Sequence, residues 1–184
     1  MAFNINDIRS QLALGGARPA LFQVILTNPI NGGADFKSPF MIRASALPAS
    51  VIGQVPVSYF GRDIKVAGDR TFEDWNITVI NDEDFLVRNA LEEWMANINA
   101  HVSNIRLTGS SAPSDYKSKA LVQQFGKNGE MLREYTFEGI YPTNVEAITV
   151  DWSTKDTIEE FGVTFSVDWW EVTNGTTGSA STTV

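Results

Sequence analysis

The sequence predicts a mainly β protein, an antiparallel β-sandwich or barrel with one flanking α-helix. Several runs alternate apolar and polar residues with a period of two, most clearly "EFGVTFSVDW", which is the pattern of a half-buried strand. Asn128-Gly129 separates two further runs and is a strong signal for a β-hairpin. One stretch, about residues 83–100, has instead the spacing of an amphipathic helix.

Length and composition fit a single globular domain, which we place at residues 1–172. A chain of 184 residues with 43% hydrophobic and 20% charged residues can bury a sizeable core. No apolar run approaches the ~18 residues of a membrane helix, and the N-terminus lacks the pattern of a cleaved signal. We therefore expect no membrane insertion. The absence of cysteine excludes disulfides and a cysteine nucleophile.

The N-terminal third contains an arm, two strands and a turn-rich connection. Residues 1–19 form the predicted arm, and "ALFQVIL" after Pro19 is the first strand. The breakers Asn28-Pro29 and Asn31-Gly32-Gly33 then predict turns. The run "FMIRASA" predicts the next strand, which ends before Pro48 and has one face that carries Phe40, Ile42 and Ala44.

A long β excursion follows at residues 47–70. Val55, Val57 and Tyr59 share one face of a strand, but beyond Gly61 the apolar positions shift to Ile64 and Val66. Such a change of phase predicts a glycine bend or bulge within a strand. After it, Trp75, Ile77 and Val79 alternate with polar residues and predict another strand.

The helix begins with the acidic segment "NDED", which suits the positive end of a helix dipole. Its apolar residues recur at spacings of four, three and four, so they share one face: Val87, Leu91, Trp94 and Ile98. We expect this face to pack against the β layers.

The remaining chain predicts four strands and a tail. Three of the strands are "KALVQQF", "MLREYTFEG" and "NVEAITVDW". The fourth, "EFGVTFSVDW", has a buried face that we expect to consist of Phe161, Val163, Phe165, Val167 and Trp169. Residues 173–184 are polar and of low complexity, and we expect a flexible tail.

The charge is concentrated in one segment. The net charge is −8, and the segment from Glu130 to Glu171 holds ten acidic and two basic residues, whereas the rest of the chain is balanced. Basic residues form no cluster of the kind that binds phosphates tightly. We therefore expect no sequence-specific binding of nucleic acid.

No catalytic, cofactor or metal site is predicted. The charged glycine stretch "YFGRDIKVAGDR" has the wrong spacing for a phosphate-binding loop and strands on both sides. His101 is the only histidine, and no nucleophile-elbow motif accompanies it. The acids around Asp82 lack the glycine of a calcium loop and are better explained as helix capping.

Two long blocks resemble a known family. The block "ASALPASVIGQVPVSYFGRDIKVAGDRTFEDWNITVINDEDFLVRNALEEWM" and the later "YTFEGIYPTNVEAITVDW" with "FGVTFSVDWWEV" are similar to the tail tube proteins of T-even-like contractile-tailed bacteriophages. The resemblance implies a structural subunit of hexameric rings that stack into a channel for DNA. It also implies a sheath, a baseplate and a tape-measure protein as partners, and a place in the virion tail after assembly in the host cytoplasm.

The resemblance gives the predicted surfaces a role. Edge strands left open by a small β domain can pair with identical neighbours and so close a ring. The candidate contacts between subunits or rings lie in the excursion: Leu47, Pro48, Tyr59, Gly61, Arg62, Asp63, Lys65, Gly68, Asp69 and Arg70. The candidates for the channel lining are Glu134, Thr136, Glu138 and Glu146, with a solvated outer face as the alternative.

Two other functions stay open at this point. The chain could be the tube protein of a type VI secretion system or of another contractile injection system, because related tubes serve these machines. It could also be a β-sandwich module that binds carbohydrate through aromatic residues such as Trp169 and Trp170. An enzyme is the least favoured reading, since no constellation of reactive residues was found.

Overall fold

The computed structural model describes residues 4–12, 15–107, 109 and 111–181. These residues form one large curved antiparallel sheet, one helix that covers it and a separate two-stranded hairpin. The mainly β, antiparallel class predicted above is thereby confirmed. The described strands are β1 (Phe22–Leu26), β2 (Ile42–Ala46), β3 (Ser50–Tyr59), β4 (Arg62–Phe72), β5 (Trp75–Ile80), β6 (Ser118–Phe125), β7 (Met131–Val145), β8 (Glu160–Ser166) and β9 (Trp169–Asn174). The described helices are α1 (Ile5–Gln11), α2 (Ser38–Met41), α3 (Leu86–Ile98) and α4 (Pro113–Tyr116).

Within these described residues the large sheet has seven strands, and β7 connects its two halves. The strands follow the order β1-β6-β7-β8-β5-β2, and β9 also pairs with β7. The first part of β7 lies between β6 and β9, and its last part pairs with β8. Since β7 is one continuous strand, it belongs to both halves of the sheet and joins them.

A bulge at Gly139 lets β7 make this crossing. Ser118 pairs with Ile140 and Lys119 with Glu138, so Gly139 is an extra residue on β7. Its φ of +66° is in the left-handed region that favours glycine. A Cβ at this position would lie 2.1 Å from a carboxylate oxygen of Asp168, whose amide donates to the Glu138 carbonyl oxygen at 3.2 Å. No side chain fits there without displacing Asp168.

The core lies on the concave face of the sheet, between the sheet and α3. Trp75 stacks on Phe137 with ring centroids 4.7 Å apart, and its indole N–H donates to the Ser45 hydroxyl at 2.9 Å. The strand residues predicted to alternate inward are buried, namely Ile77, Val79, Phe161, Val163, Phe165 and Val167. Alternation of apolar residues therefore predicted the core of these strands correctly.

Helix α3 covers this core with the predicted face. Val87, Leu91 and Trp94 are buried, and Ile98 packs against them while half-buried. The helix starts at Leu86 because residues 82–85 form a turn, in which the Asp84 carboxylate accepts a hydrogen bond from the Leu86 amide at 3.0 Å. The helix is shorter than the predicted 83–100, and its N-cap is Phe85, which makes no side-chain capping bond. Of the acidic segment, Asp84 bonds to the first helical amide, but no acid lies in the first turn.

An ion pair fastens the start of α3 to the chain before α2. The Lys37 ammonium lies 2.9 Å from the Asp82 carboxylate and also contacts Asp84. These hydrogen bonds raise the pKa of Lys37 and lower the pKa values of Asp82 and Asp84. Because all three groups are charged at neutral pH, the ion pair persists there; it weakens in acid, which protonates the carboxylates, and in strong base, which deprotonates Lys37.

The excursion is a β-hairpin, and the prediction of a bent continuous strand was wrong. Tyr59 pairs with Arg62, so the chain reverses at Phe60-Gly61, where both residues have positive φ. A two-residue turn of this kind joins antiparallel strands and also shifts the apolar phase, which is why the pattern resembled a bend. The bulge lies on β4, where Gly68 and Asp69 together oppose the single residue Gly53 of β3.

Three strand boundaries also differ from prediction. Phe40 is exposed in the short helix α2, since Ser38-Pro39 starts a helical turn. Of "NVEAITVDW", only Asn144 and Val145 belong to a strand, the end of β7. Trp169 opens β9 after a break at Asp168, and it is exposed rather than part of the buried face of β8.

Both ends of the described chain pack differently from the core. Helix α1 lies in the predicted arm and buries none of its residues. Strand β9 continues to Asn174, and the amides of Thr176 and Thr177 donate to the carbonyl oxygens of Met131 and Leu132, each at 3.2 Å. The first residues of the polar tail therefore lie beside β7, while residues 182–184 are outside the described part.

Replacing Trp94 should test how far the core depends on α3. Its side chain is fully buried, and its indole N–H donates to the Tyr116 carbonyl oxygen at 2.7 Å. Trp94→Ala leaves a cavity and an unpaired carbonyl, so we expect the free energy of unfolding to fall by about 3–5 kcal/mol in urea denaturation of the unassembled chain. The exposed Trp152→Ala is the matched control, expected within about 0.5 kcal/mol of wild type. Equal urea midpoints for the two variants would contradict the assignment of Trp94 to the core.

Candidate assembly and channel surfaces

The hairpin β3–β4 extends from the domain without a core of its own. All residues of β3 are exposed, as are most of β4. A two-stranded ribbon is marginally stable in water unless it packs against something. The hairpin is therefore the described part of the chain with the clearest need for a partner.

One face of the hairpin is apolar. Val55 lies opposite Val66, and Val57 lies opposite Ile64, so these four side chains form one continuous ladder. Their exposed fractions are 49–61%. Tyr59 and Phe60 extend the apolar surface at the tip, where their rings meet edge to face at 4.5 Å. The ladder is the kind of exposed apolar patch that marks a protein interface.

The other face and the edges of the hairpin are polar. Pro56 lies opposite Lys65, and Ser58 donates a hydrogen bond to Asp63 at 2.6 Å. Arg62, Lys65, Asp69 and Arg70 are exposed and form no ion pair with another described residue. These charges are free to pair with groups outside the chain.

The root of the hairpin is firmly attached. Pro48 is buried, and Leu47 beside it is partly exposed. The ring of Phe72, at the end of β4, lies 6.2 Å from that of Trp170 on β9. Gly68 faces Gly53, and a Cβ on it would lie 3.2 Å from the Gly53 backbone, so the two strands cross closely at the bulge. Phe72 therefore connects the root of the hairpin to β9 of the large sheet.

The convex face of the large sheet is polar. Tyr135 and Phe137 of β7 point to the core, so Glu134, Thr136 and Glu138 point to the opposite face, as their shared parity predicted. They meet Lys119 and Gln123 of β6 and Glu171 and Thr173 of β9 across the sheet. Glu146 lies on this face too, because its carboxylate covers Gly162 of β8, whose neighbours Phe161 and Val163 face the core.

Hydrogen bonds order the polar face. The Gln123 amide donates to the Glu134 carboxylate at 2.6 Å, and Thr173 donates to its other oxygen at 3.3 Å. The hydroxyls of Thr136 and Thr173 lie 2.9 Å apart. Lys119 pairs with Glu138 at 2.8 Å, whereas Glu134, Glu146 and Glu171 have no cationic partner among the described residues. The face therefore carries a net negative charge.

The structure offers no support for a carbohydrate platform. Trp169 and Trp170 are adjacent on β9, so they point to opposite faces of the sheet. Trp169 is paired with Glu138 on the polar face, and Trp170 packs beside Phe137 and Tyr135. Two rings on opposite faces cannot stack on one sugar, so this alternative loses its motivating feature.

The described residues contain neither a candidate metal site nor a helix suited to a membrane. Among residues 4–12, 15–107, 109 and 111–181, no group of three or more histidines and carboxylates is arranged to hold a metal ion. Within the same ranges, the helices are all too short or too polar to cross a membrane.

The fold defines a structural class that is shared with proteins of contractile injection systems. The sheath/tube terminator of PVC, an extracellular contractile injection system, is similar with a TM-score of 0.64 at 12% identity, covering 86% of this chain and 97% of that one. A chain of the PVC sheath–tube complex is similar with a TM-score of 0.56 at 16% identity, covering 89% of this chain and 96% of that one.

The sequence comparisons identify the family. A family model described as phage tail tube protein matches residues 18–173. Tail tube protein gp19 of Enterobacteria phage T4 is 39% identical over 169 residues, which cover 91% of this chain and 99% of that protein. The chain therefore belongs to the family of phage tail tube proteins, as the quoted blocks of sequence indicated.

A double-mutant cycle on Thr136 and Thr173 should test whether the hydrogen bond between their hydroxyls forms on the polar face. Thr→Val keeps the shape of the side chain and removes the hydroxyl, so each single variant breaks the same hydrogen bond. We expect the double variant to be about 1 kcal/mol more stable than the sum of the single effects predicts, measured by urea denaturation. The pair Thr143→Val and Thr173→Val, which share no hydrogen bond, should be additive. Additivity in both pairs would show that the Thr136–Thr173 bond is not formed.

Proposed function

We propose that this chain is the structural subunit of the inner tail tube of a contractile-tailed phage. Its copies form rings, the rings stack into a hollow tube, and DNA passes through the channel during ejection. The single observation that carries the proposal is the hairpin with one apolar face on a domain whose core is complete without it. The chain acts by assembly, so no catalytic role is proposed.

Open sheet edges support ring formation. Among the described strands, β1 and β2 stand at the two ends of the large sheet, and β9 pairs only with β7. Each leaves a row of backbone amides and carbonyls that an identical neighbour can pair with. Head-to-tail pairing of such edges generates closed rings, and we propose six subunits in each, as the family resemblance implies.

The hairpin makes the contacts between rings in this proposal. Its ladder of Val55, Val57, Ile64 and Val66 packs against an adjacent subunit, with Leu47, Pro48, Gly61 and Gly68 shaping the ribbon. The free charges of Arg62, Asp63, Lys65, Asp69 and Arg70 then pair with groups on that subunit. The ladder supplies the affinity because apolar area removed from water stabilises a contact by about 25 cal/mol per Å².

The convex face lines the channel. Glu134, Thr136, Glu138 and Glu146 form its polar surface together with Glu171. Because Glu134, Glu146 and Glu171 have no cationic partner among the described residues, the wall repels phosphate groups, and DNA can slide without binding a sequence. In the alternative, this face lies on the outside of the tube, and charge reversal at Glu146 and Glu171 distinguishes the two arrangements.

The partners follow from the assembly. We propose a sheath protein around the tube, a baseplate at its end and a tape-measure protein inside it, all in the virion tail. Proteins of similar fold occur in sheath–tube and baseplate structures. A tube of a secretion system is the second candidate, but the 39% identity to a phage protein over nearly the whole chain favours the phage.

The hairpin can be tested by changing one face at a time. Val57→Lys with Ile64→Glu places a cross-strand ion pair on the apolar ladder, so the ribbon keeps a favourable pair but loses its apolar surface. We expect rings or monomers in place of tubes by negative-stain microscopy. Gln54→Lys with Ala67→Glu places the same cross-strand ion pair on the other face, at residues not assigned to the contact, and should still give tubes. Tubes of normal length from the first variant would refute the proposed contact.

The channel face can be tested with charge reversal in the phage. Glu146→Lys with Glu171→Lys turns part of the wall basic, so DNA should bind it during ejection. We expect DNA ejection at least roughly tenfold slower at low salt, with recovery as salt screens the charges. Glu83→Lys with Glu92→Lys, in the turn before α3 and on α3, changes the net charge equally; it also removes the Arg88–Glu92 ion pair and should leave ejection unchanged. Equal ejection by both variants would assign the convex face to the outside.

A further inference from the structure

Trp152 is fully exposed, although tryptophan usually finds a buried environment. It lies in the connection between β7 and β8, and its exposed fraction is 100%. Val150 and Ile158 of the same connection are exposed at 84% and 71%. Neither the hairpin nor the polar face described above includes these residues. The three side chains line one hollow of this connection and form a separate exposed apolar patch, which we call the Trp152 knob.

The knob is preorganised by a turn. The Asp151 carboxylate accepts hydrogen bonds from the amide and the hydroxyl of Ser153, each at 2.8 Å, and the Thr154 amide donates to the Asp151 carbonyl oxygen at 3.2 Å. The bonds from Ser153 lower the pKa of Asp151. An ordered turn presents Trp152 at a smaller entropy cost than a loop that must order on contact.

A pocket of complementary character lies at the other end of β7. It is a cavity of about 430 Å³ between the start of the described chain after α1, the β6–β7 turn and the C-terminal residues. Leu21, Phe125 and Leu132 provide apolar walls, and Arg18 and Lys127 also line it. Its volume is within the range of pockets that hold organic groups.

Charge complements shape at the two sites. The connection at residues 147–159 holds Asp151, Asp156 and Glu159 against one base, Lys155. Arg18 and Lys127 of the pocket form no ion pair with another described residue. Glu130 also lines the pocket, so the three charged groups there sum to +1, opposite in sign to the connection. Cations beside an apolar cavity suit an indole ring, since cations are attracted to aromatic faces.

Knob and pocket do not meet within this subunit, since no residue of the connection lines the pocket. The pocket includes Leu132 at the start of β7, and the connection follows Val145 at its end. At about 3.3 Å per residue, up to roughly 45 Å of strand separates them. We propose that the Trp152 knob of one subunit occupies this pocket on a second copy of the chain. Such a contact is head-to-tail, so each subunit receives one knob and supplies another.

This inference rests on the proposed assembly and adds a specific contact to it. Trp152→Ala removes the knob, and Ala17→Trp fills the pocket, whose lining includes Ala17. We expect each variant to raise the critical concentration for polymerisation at least tenfold, measured by sedimentation. Since both remove one contact, the double variant should be no worse than either single variant. Lys127→Glu is a second pocket variant that adds no bulk, and it should also raise the critical concentration.

Controls separate this contact from general effects. Phe40→Ala removes an exposed aromatic ring from α2, away from both sites, and should polymerise as wild type. Unchanged melting temperatures of the unassembled variants should exclude misfolding. A wild-type critical concentration for Trp152→Ala, or independent additive effects of the knob and pocket variants, would overturn the contact alone. A wild-type chain that stays monomeric at every concentration would overturn both the contact and the proposed tube.

Discussion

Strand β7 can serve both halves of the sheet only because the backbone at Gly139 adopts a left-handed conformation. The extra residue turns the side chains of β7 over, so Phe137 before it and Ile140 after it both reach the core. Asp168 occupies the space that a Cβ would need, and its carboxylate pairs with Lys117 at 2.7 Å. The core, the β8–β9 connection and the start of β6 therefore all meet at one backbone position.

The sequence predicted those parts of the fold whose side-chain pattern has a single physical cause. Alternation in β5 and β8 reflects burial on one face, and the spacing of Val87, Leu91 and Trp94 reflects one face of a helix, so both were correct. Gly61 and Gly139 show what the apolar pattern of a sequence cannot distinguish. A change of apolar phase has the same appearance at a bend, a turn or a bulge, and only the pairing partners distinguish them. Phe60-Gly61 was thus misread, and β7 was divided into two strands.

The candidate surfaces were predicted unevenly for the same reason. Glu134, Thr136 and Glu138 share a strand face by parity alone, and the structure places them together. The apolar ladder needed the hairpin register, because Val55 and Val57 meet Val66 and Ile64 only after the chain reverses. Trp152 gave a weaker signal, since an exposed tryptophan and a buried one look alike in a sequence. The sequence analysis placed it at the end of the predicted strand "NVEAITVDW", where it alternates with Asp151, so its exposure was not predicted.

The charged residues of the hairpin also have a consequence for the free subunit. A long ribbon with two open edges and an apolar ladder is a template for indiscriminate strand pairing, and so for aggregation. Arg62, Lys65, Asp69 and Arg70 line β4 without partners among the described residues, as gatekeeper charges do beside unavoidable apolar strands. Charges at these positions disfavour indiscriminate pairing of the free ribbon while no neighbour covers the ladder.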